Sequence, residues 1–484
     1  MACAPFFLLG AYNAPPQVIC RYNCDVTDWK DKKVTILGLG RSGIAAAQYL
    51  SARGAKVFVS DSAAADADRQ AQAAEVEKLG CKVELGGHSD EAVEFGSFVL
   101  TSPGIAPHSA VIQKARSLGK EVISDVELAW RETKAPIIAI TGTNGKSTTC
   151  ALLSFMLEKT GRVAPACGNI GVPILSQLDR KPDYLVVEVS SYQLDYTTNF
   201  APKIGVWLNF TPDHVDWHQG LENYKRAKQK LFANQQHSDY AVLSMDDPVV
   251  SQQITRSEIF PFSSQMNLDN MVQAAYVSNG FLAYRIRARN RIVCAVNELQ
   301  ILGQHNVENA LAAISCCAIL DVQPQEIENY IKEFKGLEHR LEYVSTIDNV
   351  PYYNDSKATN PESAIKAIQS FPDKKIVLIA GGRDKSTSLD EFVDAVRNHV
   401  AAVILLGEAK ERFEKALREG GFNDVHLVAN LEEAVDLGGK LKLGPVVLSP
   451  ACASFDMFKD FENRGRVFKD IVRTRLEMAP SVQG

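Results

Sequence analysis

Ile137-Ile138-Ala139-Ile140-Thr141-Gly142-Thr143-Asn144-Gly145-Lys146-Ser147-Thr148-Thr149 is the stretch that decides how this chain folds. A β-branched apolar run empties into a glycine-bearing loop, then Lys-Ser, then the amphipathic segment 150–158, which predicts strand, phosphate loop and helix in that order. Glycines let backbone N–H groups turn inward around a polyphosphate, and the helix N-terminus adds partial positive charge. Lys146 is placed to reach terminal phosphates, and the Ser147 hydroxyl to hold Mg²⁺. The strict spacing G-x-x-x-x-G-K-[ST] is not met, because Ile140 stands at its first glycine. An ATP site is expected.

Outward from this loop the chain reads as α/β throughout. On the amino-terminal side, 33–37 is strand-like and runs into Gly38-Leu39-Gly40-Arg41-Ser42-Gly43, a helical stretch, a second strand at 56–60 and then Asp61. That G-x-G-x-x-G turn with a following acid fits a dinucleotide, but its physics asks only for close backbone approach to a diphosphate, so UDP serves equally. Further strands are expected at 98–100 and 121–124. On the carboxyl side, strand-like runs fall at 184–189, 204–209 and 240–243, with an alternating hairpin at 273–284 turning on Asn279-Gly280. A helix is expected at 307–320. Beyond Leu337, strands at 375–380, 402–406 and 446–449 each end in a loop of the kind that gathers ligands at carboxyl ends of open sheets. Three domains are expected: 1–132 with a Rossmann-like sheet, 133–337 with a P-loop parallel sheet and a small antiparallel patch, and 338–484 with a second Rossmann-like sheet.

Composition narrows the class. At 484 residues, 46% hydrophobic and 23% charged, the chain is an ordinary multidomain globular sequence. A net charge of −6 argues against nucleic-acid or membrane-surface binding, whose footprint is basic. The longest apolar run, 310–320, is far short of the ~20 residues that span a bilayer. The ten cysteines are scattered, so a reducing compartment is expected. Residues 1–30 lack the basic start of a secretory signal and are poor in Ser and Arg for a transit peptide.

Three further positions carry chemistry. Glu188, inside the apolar run Leu185-Val-Val-Glu-Val189, is costly unless paired, and suits a Mg²⁺ ligand beside a phosphate loop. His214 follows a strand and reads as metal ligand, phosphate contact or hydrogen-bonded loop residue. Lys228, in Tyr224-Lys-Arg-Ala-Lys-Gln-Lys-Leu-Phe232, reads by pattern as part of a solvated basic helix face. An active role requires its withdrawal from water and a lowered pKa, after which a neutral amine can add CO₂ and become an anionic carbamate.

Taken together, 141–149, Gly168-Asn-Ile-Gly171, Glu188-Val-Ser-Ser-Tyr-Gln193, 209–214, 224–228, Gly303-Gln-His-Asn-Val-Glu-Asn309, Glu338-His-Arg340, Asn354-Asp-Ser-Lys-Ala-Thr-Asn360 and 448–461 resemble the Mur ligases, ATP-dependent amide-forming enzymes of peptidoglycan precursor synthesis. The resemblance spans about residues 33 to 473. Within the family, the 355–360 and 449–454 loops resemble members that add D-glutamate to UDP-N-acetylmuramoyl-L-alanine. It implies that Ser42, Asp61, Ser62 and Ser102 meet the uridine diphosphate, with Asn169 further along that substrate. It implies a nucleotide cradle of Gly142, Thr143, Asn144, Gly145, Lys146, Ser147 and Thr148, completed by Asn309, Arg340 and Asp355, with Lys357 near the reacting phosphoryl group. Ser147 and Glu188 would hold one Mg²⁺, His214 and carbamylated Lys228 a second. Thr359, Lys385, Ser454 and Phe461 would meet D-glutamate. His214 is also the candidate base for its amine. A cytoplasmic monomer is expected, or a plastid protein if the leader is a transit peptide. Ala63 departs from the family pattern, which can carry a basic residue there. The rivals are another Mur ligase or a folylpolyglutamate synthase, and a nicotinamide-dependent dehydrogenase built on the Gly38–Gly43 turn.

Overall fold

A computed structural model describes residues 28–169, 171–371, 375–384 and 387–478; residues 1–27 of the leader and Lys385 lie outside these. Three sheets follow one another along the chain. The first is wholly parallel, in the order Lys82–Leu85, Lys56–Asp61, Lys33–Leu37, Phe98–Thr101, Val122–Ile123. Its strand order reverses at Lys33–Leu37, so the Gly38–Gly43 turn leaves the sheet at a topological switch point, where a crevice opens.

The second sheet has nine strands, with Ile137–Thr141 between Ile204–Trp207 and Leu185–Glu188. Helices pack on both faces of this parallel portion, so its strands are apolar on both sides and fully buried. Each buried Ile or Val here contributes roughly 1.5–3 kcal/mol. Ala274–Ser278 continues parallel beside Glu258–Ser263, and the sheet turns antiparallel from there through Phe281–Ile286 and Arg289–Ala295. The expected Asn279-Gly280 turn is present, with φ of 49° and 80°. The strand at Arg289–Ala295 was not expected: its apolar residues do not alternate, and Ile292 is 71% exposed. The long helix is Gln304–Ile319, one turn earlier than its apolar periodicity indicates, because Gly303 (φ 95°) ends the preceding loop and brings His305 and Asn306 into the first turn.

The third sheet runs Glu342–Ile347, Val350–Asn354, Val446–Leu448, Ile376–Gly381, Val400–Leu406, Val425–Leu427, parallel except for its first strand. Short strands such as Lys82–Leu85, Ala166–Gly168 and Val425–Leu427 are too brief to leave a periodic signature.

The first two units share one hydrophobic core cluster. Helix Asp125–Glu132 joins them further: the buried Glu127 carboxylate accepts backbone N–H groups of Thr198, Asn199 and Phe200 at 2.9–3.2 Å. Among the described residues no helix is long and apolar enough to cross a membrane.

Candidate active site

The phosphate loop is shaped by its neighbours. Gly145 caps helix Lys146–Lys159 with φ 83°, and a Cβ there would meet Asn309 Oδ1 at 2.3 Å, so only glycine fits. Asn209, at the end of the next strand, accepts from Thr143 N (3.0 Å) and Asn144 N (2.8 Å). Lys146 Nζ folds over the loop to donate to the carbonyls of Gly142 (3.0 Å) and Thr143 (2.9 Å). Burial lowers its pKa, against the opposing pull of Glu188.

Glu188 is 3% exposed, on a strand paired on both sides. Its Oε1 accepts from Asn169 Nδ2 at 2.8 Å, while Oε2 is buried without a partner among the described residues. A buried carboxylate oxygen left this way is a cost of about 1–3 kcal/mol or more, and suits a hard cation with oxygen ligands. The Ser147 hydroxyl has only a 3.3 Å contact, from Arg340 Nη2.

The solvated-face reading of Lys228 fails. Its side chain is 1% exposed; Nζ donates to the Gly142 carbonyl at 2.7 Å and lies 4.7 Å from the centre of the Tyr224 ring. Burial first, and the Lys146 charge second, push its pKa well below the lysine value, with Asp213 opposing. Helix Leu221–Ala233 presents Tyr224 and Lys228 inward while Arg226 stays outside, a distinction that a run of four cations hides. His214, in the left-handed region at φ 52°, packs 4.8 Å from the Tyr192 ring and 3.3 Å from Asp213. Its pKa is lowered by partial burial, opposed by Asp213. Among the described residues no three His, Cys, Asp or Glu form a ready-made metal cluster.

Arg340 reaches into the loop from the third unit. It lines, with Asn309, Thr148, Asp355 and Lys357, a cleft of about 110 Å³ between the second and third units. Asn309 donates to Asn306 Oδ1 (2.9 Å) and accepts from Thr149 Oγ1 (3.1 Å). Asp355 accepts from Ser449 Oγ (2.7 Å) and Leu341 N (3.1 Å), yet burial raises its pKa to about 7. His305 and Lys366 line the same cleft. Their signal was the Gly303–Asn309 motif itself for His305; nothing in sequence marks Lys366.

In the first unit, Ser42, Asp61, Ser62 and Ser102 gather at the carboxyl ends of three adjacent strands. Asp61 accepts from Leu39 N (2.6 Å) and Ala63 N (2.7 Å), which fixes the glycine turn. Burial raises its pKa, but these N–H groups and Arg69 outweigh it, and it stays below the usual carboxylate value. Arg41, passed over in the sequence, donates across to the Gly171 carbonyl of the second unit at 3.1 Å. In the third unit, Arg464 is buried and donates to Ser356 O and Oγ and to the Cys452 and Ala453 carbonyls, binding the loop of Lys357 and Thr359 to that of Ser454. Phe461 opens the last helix, its ring 5.3 Å from Lys357 Nζ.

Three family models cover most of the chain: Mur ligase MurD-like, N-terminal domain at residues 32–124, Mur ligase middle domain at 140–317, and Mur ligase, glutamate ligase domain at 339–451. The chain belongs to the Mur ligase family. This Mur ligase is 42% identical over 451 residues (92% of its length, 98% of the relative's) to the UDP-N-acetylmuramoylalanine–D-glutamate ligase of Caldanaerobacter subterraneus subsp. tengcongensis. It is 40% identical, with the same coverage, to that of Geotalea daltonii. Its fold resembles the UDP-N-acetylmuramate-alanine ligase of Thermotoga maritima (TM-score 0.57, 19% identity, covering 92% and 99% of the two chains). It also resembles MurF of Acinetobacter baumannii (TM-score 0.57, 18% identity, 86% and 91%). The dehydrogenase reading of the Gly38–Gly43 turn falls with these matches.

Proposed function

We propose that this Mur ligase joins D-glutamate to UDP-N-acetylmuramoyl-L-alanine at the expense of ATP, in the cytoplasm and as a monomer. The observation that carries this reading is the convergence of Lys146, Lys228 and Arg340 on one loop, together with relatives that bear that activity by name.

The chemistry begins with a poor acylating agent, a carboxylate. The L-alanyl carboxylate oxygen attacks the γ-phosphorus of ATP, breaking the bond to the β-phosphate oxygen and giving an acyl phosphate and ADP. Gly142 through Thr148 cradle the phosphates, Lys146 turns from the loop carbonyls to the γ-phosphoryl oxygens, and Arg340 and Lys357 screen charge from the opposite wall. The D-glutamate amine then attacks the acyl carbon, loses a proton, and phosphate leaves. Thr359, Lys385, Ser454 and the Phe461 segment hold the amino acid, and Arg464 ties the Thr359 loop to the Ser454 loop. His214, its pKa lowered by partial burial, has one free imidazole lone pair, which takes the amine proton only while no cation holds it.

Glu188 and Ser147 fit one Mg²⁺ site, since one buried carboxylate oxygen there lacks a partner. His214 fits a second only if Lys228 becomes anionic: its neutral amine adds CO₂, forming an N–C bond and releasing a proton. Mg²⁺ bound at these residues supplies charge neutralisation for the transferring phosphoryl group. Ser42, Asp61, Ser62, Ser102 and Asn169 take the uridine diphosphate end of the acceptor.

Phosphate release from ATP, measured with UDP-N-acetylmuramoyl-L-alanine and each of D-glutamate, L-glutamate, L-lysine and diaminopimelate, tests this. Release with D-glutamate alone is expected; release with another amino acid instead removes the assignment.

A further inference from the structure

A second cleft lies apart from the nucleotide site. It measures about 280 Å³ and lies between helix Ala110–Ser117 of the first unit and helix Leu221–Ala233 of the second. One helix serves both sites: Lys228 faces the phosphate loop, while Arg226, Ala227 and Lys230 line this cleft on the neighbouring face.

Its charge is lopsided. The one acid in the wall, Asp195, is already engaged by Lys230 at 3.1 Å. That leaves two guanidinium groups, Arg116 from the first unit and Arg226 from the second. Neither has a carboxylate within ion-pair distance among the described residues. Their hydrogen bonds are long, 3.5 Å to the Pro107 carbonyl and 3.4 Å to Asn223 Oδ1. Two exposed, uncompensated arginines facing one cleft in a chain of net charge −6 concentrate positive potential locally. A planar fork presented from each side suits a phosphate more than a neutral ligand. The cleft volume falls at the lower end of small-molecule pockets, roughly 300 Å³ and upward.

We infer that this inter-domain cleft is a second anion site, taking inorganic phosphate or a small phosphate ester between Arg116 and Arg226. The bound anion clamps the two helices together. Trp217 forms part of the wall and packs 4.3 Å from Tyr192, whose ring in turn contacts His214, so occupancy stiffens the turn beside the candidate active site.

The test uses the full chain with its phosphate loop filled by Mg²⁺ and a non-hydrolysable ATP analogue. Inorganic phosphate and glycerol 3-phosphate are titrated by calorimetry at constant ionic strength. One equivalent of at least one of them should bind, the tighter naming the source. Arg116→Ala and Arg226→Ala should each weaken it ten-fold or more, Arg226→Lys less, and Lys225→Ala not at all. All four variants should keep turnover without added phosphate within two-fold, which separates loss of this site from loss of fold or of the ligase reading. No binding in the parent chain, an adventitious ion only, or equal binding in both arginine-to-alanine variants overturns the proposal.

Discussion

Arg340, just ahead of the third sheet, places Nη2 3.3 Å from the Ser147 hydroxyl at the start of the phosphate-loop helix. The side chain is half-buried, its Nε is buried with no partner among the described residues, and burial lowers its pKa against the pull of Glu188 and Asp355. A cation partly withdrawn from water in the wall of a cleft is stabilised when anionic phosphate enters. The contact therefore links nucleotide binding to the seating of the third domain.

Arg340→Ala should raise the KM for ATP and lower kcat together, because one side chain serves both binding and closure. Loss of a charge-assisted bond of ~1.5–3 kcal/mol corresponds to roughly ten- to hundred-fold in kcat/KM. Steady-state kinetics in ATP read this directly; an unchanged kcat would mean the third domain closes without it.

Lys228→Ala should abolish turnover, and added bicarbonate should not restore it. Thorough removal of CO₂ should depress the parent enzyme, with recovery on adding bicarbonate, since carbamate formation is reversible. Near-normal activity of the variant would leave the buried amine a packing element only.

Asp355 gives a stability prediction. Its pKa is near 3.8 unfolded and about 7 folded, raised by burial. Between those values the native state binds more protons than the unfolded chain, so this group's contribution falls as pH rises from about 4 to 7 and is flat above. Asp355→Asn removes that penalty. Its stability relative to the parent should therefore improve from pH 5 to pH 7 and level off by pH 8, as followed by urea unfolding of the nucleotide-free protein. A constant difference across that range would contradict the assignment.

Arg41→Leu should raise the KM for the UDP-linked substrate several-fold while leaving that for ATP unchanged. The guanidinium projects from the glycine turn expected to meet the diphosphate, bridges to Gly171, and is near enough to influence Lys357. Kinetics with each substrate varied in turn would separate this from a fold defect, which moves both.

The sequence made the phosphate loop and the three-unit α/β plan legible because both rest on local signals: an apolar run, glycines, Lys-Ser and repeated strand–loop exits. What it could not convey was burial. Lys228 lies among Lys225, Arg226 and Lys230, and only the packing of Tyr224 and Phe232 determines which of them turns inward. Arg464 is one of several charges in 462–475, yet it is 2% exposed and ties two ligand loops together. Inter-domain partners such as Arg41 with Gly171, or Arg340 with Ser147, are separated by more than a hundred residues. No periodicity encodes them.

The most direct test of the central claim follows an oxygen atom. UDP-N-acetylmuramoyl-L-alanine labelled with ¹⁸O in its alanyl carboxylate is turned over with ATP and D-glutamate, and the released phosphate is weighed by mass spectrometry. An acyl phosphate route transfers one label to phosphate in every turnover. Unlabelled phosphate accompanied by full amide formation would contradict it.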